Sequence, residues 1–268
     1  MTALEFCNVS VRFGHGRHAF QAVRNVSLTV ASGSIMGLVG ESGSGKSTLA
    51  RAAVGLKEPS DGEILLDDIN VAHARNNTAR TRQGIQMVFQ DAYSCLDPRF
   101  TIGDSIDEAL IALGRRKPDG KKSRTGRLAE ITRLLEIVNL DPGRSNAYPD
   151  SLSGGQRQRV ALARALAAGP SVLLADEITS ALDVSVQGSV LNILVDLQQA
   201  FGLTVLFISH NLAVVRHVCD NVAVMYQGEI LEQGPVLDVL ENPREAYTRK
   251  LVASVPQIGV PLFTSPTT

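Results

Sequence analysis

The run Gly40-Glu41-Ser42-Gly43-Ser44-Gly45-Lys46-Ser47 carries the plainest chemistry in the chain, because it fits G-x-x-x-x-G-K-[ST]. Phosphate oxygens need many donors at short range. Glycines let the backbone close around a phosphate with no Cβ in the way, and successive N–H groups then point inward. A helix starting at Lys46 adds the positive end of its dipole. In such a cradle Lys46 reaches the β- and γ-phosphates and Ser47 offers a hydroxyl to Mg2+. Thr48, next along the helix, joins the nucleotide-binding set.

Other groups become interesting beside that run. Asp176-Glu177 closes the apolar stretch Val172–Ala175, and a carboxylate at a strand's C-terminal end lies by the ligand crevice of an open parallel sheet. His210 follows Thr204–Ser209, and Gln90 follows Ile85–Phe89. Leu152-Ser153-Gly154-Gly155-Gln156 opens a helical pattern in which Ser153 is a good N-cap. Taken singly, each has an ordinary reading: a solvated strand end, a structural histidine, a surface glutamine, a capped helix start. Phe13 and Phe20 are core residues by default.

Positioning these groups requires strands that alternate with helices. Ile35–Val39 reads as a buried strand, followed by the glycine turn and a helix Lys46–Val54 that stops at Gly55. Glu63–Leu66, Ile85–Phe89, Val172–Ala175, Thr204–Ser209 and Val222–Tyr226 read as strands. Asp67-Asp68 reads as a turn, and Gln227-Gly228 turns the chain into Glu229–Gln233 as a hairpin. Val184–Ala200 and Leu212–Val218 read as helices. The segment of about 91–150 differs, with helical patterns Ile106–Leu113 and Leu128–Val138 around a basic loop Arg115–Arg127. This order predicts a mostly parallel sheet with helices on both faces and a helical lobe inserted into it. Val255–Thr268 is expected to be a loose tail.

Composition narrows the function class. The 268 residues carry 44% hydrophobic and 20% charged side chains, an ordinary globular balance. A formal net charge of −1 argues against a partner held by bulk charge, so no nucleic acid is expected. The basic loop reads as solvated. No stretch approaches the roughly 18 to 20 apolar residues of a membrane span. Met1–Asn8 lacks a basic region before an apolar core, so no secretory signal is expected. Cys7, Cys95 and Cys219 are scattered and without a CxxC, which suits reduced thiols in a cytosolic setting.

Leu152–Gln156, more than a hundred residues after a phosphate cradle, resembles the signature sequence of ABC ATPases. The resemblance covers nearly the whole chain as a single nucleotide-binding domain, 1–268, with a helical subdomain at about 91–150 and a C-terminal extension at about 243–268. It implies an α/β fold: a P-loop NTPase core of mostly parallel sheet with flanking helices, an antiparallel β subdomain and the inserted helical subdomain. It further implies ATP and Mg2+ as ligands. Gln90 resembles the Q-loop glutamine, a Mg2+ and water contact, and Val172–Glu177 resembles the Walker B strand. There Asp176 would hold Mg2+ and Glu177 would polarise the attacking water. Ser180-Ala181-Leu182-Asp183 resembles the D-loop, and His210 the switch histidine at the γ-phosphate. Phe13, with Phe20 as competitor, resembles the adenine-stacking aromatic. Ser153, Gly154, Gly155 and Gln156 would meet the nucleotide of an opposite chain in a head-to-tail dimer.

Phe89-Gln90-Asp91-Ala92-Tyr93-Ser94-Cys95-Leu96-Asp97-Pro98-Arg99 resembles the F-Q-D-P-x-S-S-L-[DN]-P-R segment of peptide and nickel importers. Tyr247-Thr248-Arg249-Lys250-Leu251, with Val255-Pro256 beyond, resembles that branch's C-terminal extension. The resemblance implies an ATP-hydrolysing subunit of an importer for peptides, nickel or a metal chelate, assembled as a homo- or heterodimer with a second ABC ATPase, two transmembrane permeases and, indirectly, a solute-binding protein. It would sit peripherally on the cytoplasmic face of the inner membrane. Two departures stand out: Ala92 replaces a proline, and Ile178 replaces the proline after Glu177, which frees φ and restores an N–H there. With no cysteine after Cys219, no iron–sulfur cluster is expected.

Overall fold

The computed structural model describes residues 4–14, 16, 19–72, 84–112 and 124–254. The expected tail Val255–Thr268, Leu113 and most of the basic loop, 115–123, lie outside the described residues.

Ten strands form two sheets among the described residues. The first is antiparallel and runs β2-β1-β4-β5, from β1 (Leu4–Phe13), β2 (Phe20–Val30), β4 (Asp61–Leu66) and β5 (Ile69–Asn70). The second runs β10-β9-β3-β8-β7-β6. Its members are β3 (Ile35–Val39), β6 (Ile85–Val88), β7 (Val172–Asp176), β8 (Thr204–Ile208), β9 (Asn221–Tyr226) and β10 (Glu229–Pro235). Only β10 is antiparallel to its neighbour in that sheet. The two expected turns hold. Asp67-Asp68 and Gln227-Gly228 both have positive φ at their two central residues, as tight hairpins demand.

The central strands are apolar throughout because both faces are covered. Alternate residues divide between two cores. Val172, Leu174, Leu206, Ile208, Leu38 and Met225 face the antiparallel sheet and helix α1 (Lys46–Ala53). Leu173, Ala175, Val205, Phe207, Val222 and Val224 face the other helices. These are α2 (Ile102–Ala112), α3 (Arg124–Ile137), α4 (Gly154–Ala167), α5 (Val184–Phe201), α6 (Leu212–Val218), α7 (Val236–Glu241) and α8 (Ala246–Ala253).

Between β6 and β7 the described chain is helical, as the resemblance implies. Here α2 starts earlier than Ile106, because Thr101 and Asp104 cap it reciprocally. Asp104 N–H donates to Thr101 Oγ1 (3.1 Å), and that hydroxyl donates to Asp104 Oδ2 (2.6 Å). Arg127 on α3 pairs with Asp107 on α2 at 2.7 Å, so the end of the basic stretch is partnered rather than purely solvated. Helix α4 packs against α2, α3 and β6, and so ties these helices to the sheet.

Candidate active site

The cradle forms where β3 runs into α1. Gly40 (φ 148°) and Gly45 (φ 107°) make the loop possible. A Cβ on Gly40 would collide with the Met225 carbonyl oxygen, and one on Gly45 with that of Ala22. Gly45 is the N-cap of α1 and supplies no side-chain acceptor, so the first-turn N–H groups point into the loop. Gly45→Ala is expected to destabilise the fold by about 1–3 kcal/mol through backbone strain and that collision. The midpoint of urea unfolding measures it.

Lys46 is 4% exposed. Its Nζ donates to the carbonyls of Gly40 (2.8 Å) and Glu41 (2.8 Å) and to Ser44 Oγ (3.2 Å). Burial lowers its pKa, and the nearby carboxylates of Glu177, Asp176 and Glu41 pull the other way. Asp176 shows the mirror image. Its carboxyl is pushed up, chiefly by burial and also by Glu177, while a bond from Ser47 Oγ (2.9 Å) and the charges of Arg51 and Lys46 oppose the rise. A buried ammonium and a buried carboxylate face one loop, and for each the cost of burial outweighs the opposite charges near it. A phosphate answers the first and a hard cation the second.

The residues fit Mg2+ in a particular way. Ser47 Oγ and Asp176 Oδ1 form an oxygen pair, while no group of three or more His, Cys, Asp or Glu could hold a metal among the described residues. Such a pair suits an ion that takes its other ligands from phosphates and water.

Glu177 sits at the end of β7 with φ 49°, a backbone region that a glutamate enters at a cost of order 1 kcal/mol. Its N–H donates to Ile208 O (3.0 Å), and its carbonyl accepts from Ser180 N–H (3.1 Å) and Ser180 Oγ (2.9 Å). His210 Nδ1 lies 3.5 Å from Glu177 Oε1. Gln90 Nε2 donates to Ser180 Oγ at 3.2 Å, which joins it to this group through the 180–183 turn rather than through Ser47. Ile178 is buried in the core on the helical side, at 1% exposure, so the position that departs from the family pattern is filled by packing.

Two predicted features lie apart from this cluster. Ser153 caps α4 through a full capping box: Ser153 Oγ accepts the Gln156 N–H (3.3 Å), and Gln156 Oε1 accepts the Ser153 N–H (3.0 Å). Ser153 and Gly154 are exposed. Among the described residues no hydrogen bond or ion pair joins them to the cradle of the same chain. Phe13 and Phe20 are direct cross-strand partners, 43% and 61% exposed, so neither is core. Lys57 Nζ stands 4.7 Å over the Phe13 ring.

The sequence reading missed one contact. The Tyr247 hydroxyl on α8 accepts the Glu41 N–H at 3.0 Å, across 206 residues of chain. Residue type and local pattern carry no signal for it.

The sequence and the fold match known proteins. The family model for ABC transporters matches residues 23–180, from β2 through the cradle to Ser180. Glutathione import ATP-binding protein GsiA of Escherichia coli O157:H7 is 49% identical over 236 residues, 88% of this chain. The Salmonella typhi protein of that name is 48% identical over the same share. The chain spans 37% of the length of these relatives. The ATP-binding cassette MJ0796, solved as a post-hydrolysis dimer with ADP and Pi, superposes with a TM-score of 0.75 at 30% identity, covering 87% of this chain and 98% of that one. The protein cbiO1 of Clostridium perfringens, part of the transporter complex cbiONQ, gives 0.77 at 26% identity, with 96% of each chain covered. With the cradle, the Asp176-Glu177 pair and the capped Leu152–Gln156 helix start on one such fold, the chain belongs to the ABC transporter family.

Proposed function

We propose that the chain is the ATP-hydrolysing subunit of an importer for small peptides, working as a dimer beneath permease subunits. The observation that carries this reading is the convergence of Lys46, Ser47, Asp176, Glu177 and His210 around one phosphate cradle. The cargo class rests on likeness to proteins named for glutathione import and on the Phe89–Arg99 segment.

ATP is the substrate. Its phosphates occupy the backbone of Gly40–Gly45, with Glu41, Ser42, Gly43 and Ser44 forming the loop, and Lys46 moves its ammonium from the loop carbonyls to phosphate oxygens. Ser47 and Thr48 N–H groups close the helix end around the phosphates. Ser47, Asp176 and Gln90 would hold Mg2+. The chemistry it would supply there is positive charge against the phosphate oxygens. Phe13 stacks on adenine from the rim of the β1–β2 hairpin.

Glu177 accepts the proton of the attacking water as its oxygen bonds to the γ-phosphorus. The bond to the β,γ-bridging oxygen breaks, and ADP leaves with that electron pair. His210, beside Glu177, contacts the γ-phosphate and keeps the base oriented. Ser153, Gly154, Gly155 and Gln156 of the partner subunit complete the site with the exposed start of α4, so the γ-phosphate bridges two chains and its loss releases them. The groove between β6 and the helical segment, lined by Met87, Phe89, Ala109, Ala112 and Ala165, lies next to Gln90, and in this reading the helical segment passes the motion of the dimer to a permease.

No helix among the described residues is long and apolar enough to cross a membrane, so attachment would run through those permeases. A pull-down of the tagged chain from detergent-solubilised membranes of its native cell tests the assignment. Two permeases, an ATPase partner and a solute-binding protein are the expected retained set. Recovery of soluble clients without any permease would sink the transporter reading.

A further inference from the structure

We propose that Tyr247 is a positioning residue of the phosphate cradle, which makes the C-terminal helix α8 part of the ATP site; this rests on the ATP-binding reading above. The peptide unit between Gly40 and Glu41 is held at both ends. Its carbonyl, Gly40 O, accepts from Lys46 Nζ (2.8 Å), and its N–H, on Glu41, donates to the Tyr247 hydroxyl (3.0 Å). A peptide is planar, so fixing the N–H direction fixes the carbonyl direction. Gly40 has little torsional restraint of its own. Without the phenol, only the bond from Lys46 Nζ holds the plane, so the plane and the resting place of the ammonium can turn together.

Tyr247 is itself well anchored. Its ring lies against Tyr226, with centroids 4.2 Å apart and planes at 35°. Tyr226 ends β9, the strand paired with β3, which leads into the cradle. The start of α8 is pinned to β10, where Glu232 accepts the N–H groups of Arg244 (2.9 Å) and Glu245 (3.1 Å). Thr248, next to Tyr247, is fully buried. A helix tied down at its start and seated by a buried neighbour therefore delivers one hydroxyl to one backbone amide. A surface helix that only covers the sheet has no use for such a bond.

Tyr247→Phe keeps the ring and its packing on Tyr226 and removes only the hydroxyl. Kd for a fluorescent ATP analogue is measured on the full chain, with KM and kcat for ATP on the chain in its complex. The expected result is a three- to tenfold rise in Kd and KM, about what one hydrogen bond is worth, with kcat and Tm close to wild type. Lys46→Ala is run alongside. Loss of binding in that variant with an unchanged Kd in Tyr247→Phe overturns the positioning role. So does a drop in Tm with Kd unchanged, which would make the contact merely structural. Unchanged binding in both variants would remove the cradle assignment and this inference with it.

Discussion

Lys46→Ala is expected to weaken ATP binding by about a hundredfold or more. A charge-assisted bond to a buried ammonium contributes about 1.5–3 kcal/mol, and Lys46 would make more than one to phosphate oxygens. At about 1.4 kcal/mol per tenfold, two such bonds exceed that factor. Stability in the absence of nucleotide should behave differently. Burial lowers the folded-state pKa of Lys46 from 10.5. Between that lowered value and 10.5 the unfolded chain holds more protons, so this group's contribution to stability rises with pH in that window. Below the window the charged lysine burdens the fold by a constant amount. Its removal relieves that burden and at the same time strands the three oxygens it now satisfies. Tm without nucleotide should therefore change little, while the rise in Tm on adding ATP disappears. Calorimetry with and without ATP reads both quantities. A full ATP-induced rise in the variant would show that the loop does not grip phosphates through this residue.

The sheet carrying the site was legible because its strands are covered on both faces. Val172–Ala175 and Thr204–Ser209 read as strands from their apolar runs, and Asp176 and His210 follow directly on them. The two longest strands, β1 and β2, were less visible. The antiparallel subdomain was expected from the family resemblance, yet no strand before Ile35 was marked. The reason is local: register shifts between Phe6 and Val9, Val9 and Val11, and Val11 and Arg12 break the period-two pattern that marks a strand. Helices α7 and α8, 6 and 8 residues long, were also missed. Within the site, motif residues could be named from spacing, because spacing along a strand–turn–helix fixes position. Tyr247 could not be found that way. Its meeting with Glu41 depends on how a C-terminal helix docks on β10 and β9, and tertiary packing leaves no local pattern in the sequence.

Glu177→Gln separates binding from chemistry. The variant side chain has nearly the same shape, and the backbone that holds it is fixed by bonds a glutamine leaves intact: Glu177 N–H to Ile208 O, and Ser180 to the Glu177 carbonyl. What changes is charge. A neutral amide cannot take the proton of water, and loss of a general base costs about 10²–10⁴ in rate. ATP affinity should persist, because the Lys46, Ser47 and Asp176 groups remain. Asp176 should ionise more readily, since Glu177 is one of the charges now pushing its pKa up. Metal binding at Ser47 and Asp176 would then be kept or tightened. Bound but unspent ATP leaves the γ-phosphate bridging two chains, so sizing with ATP and Mg2+ should give a stable dimer where wild type gives a transient one. The two readouts can fail independently. Wild-type turnover would remove Glu177 from the role of base and shift attention to the His210 side of the pair. A persistent monomer, with the correct partner chain present, would instead count against the exposed start of α4 as the second half of the site.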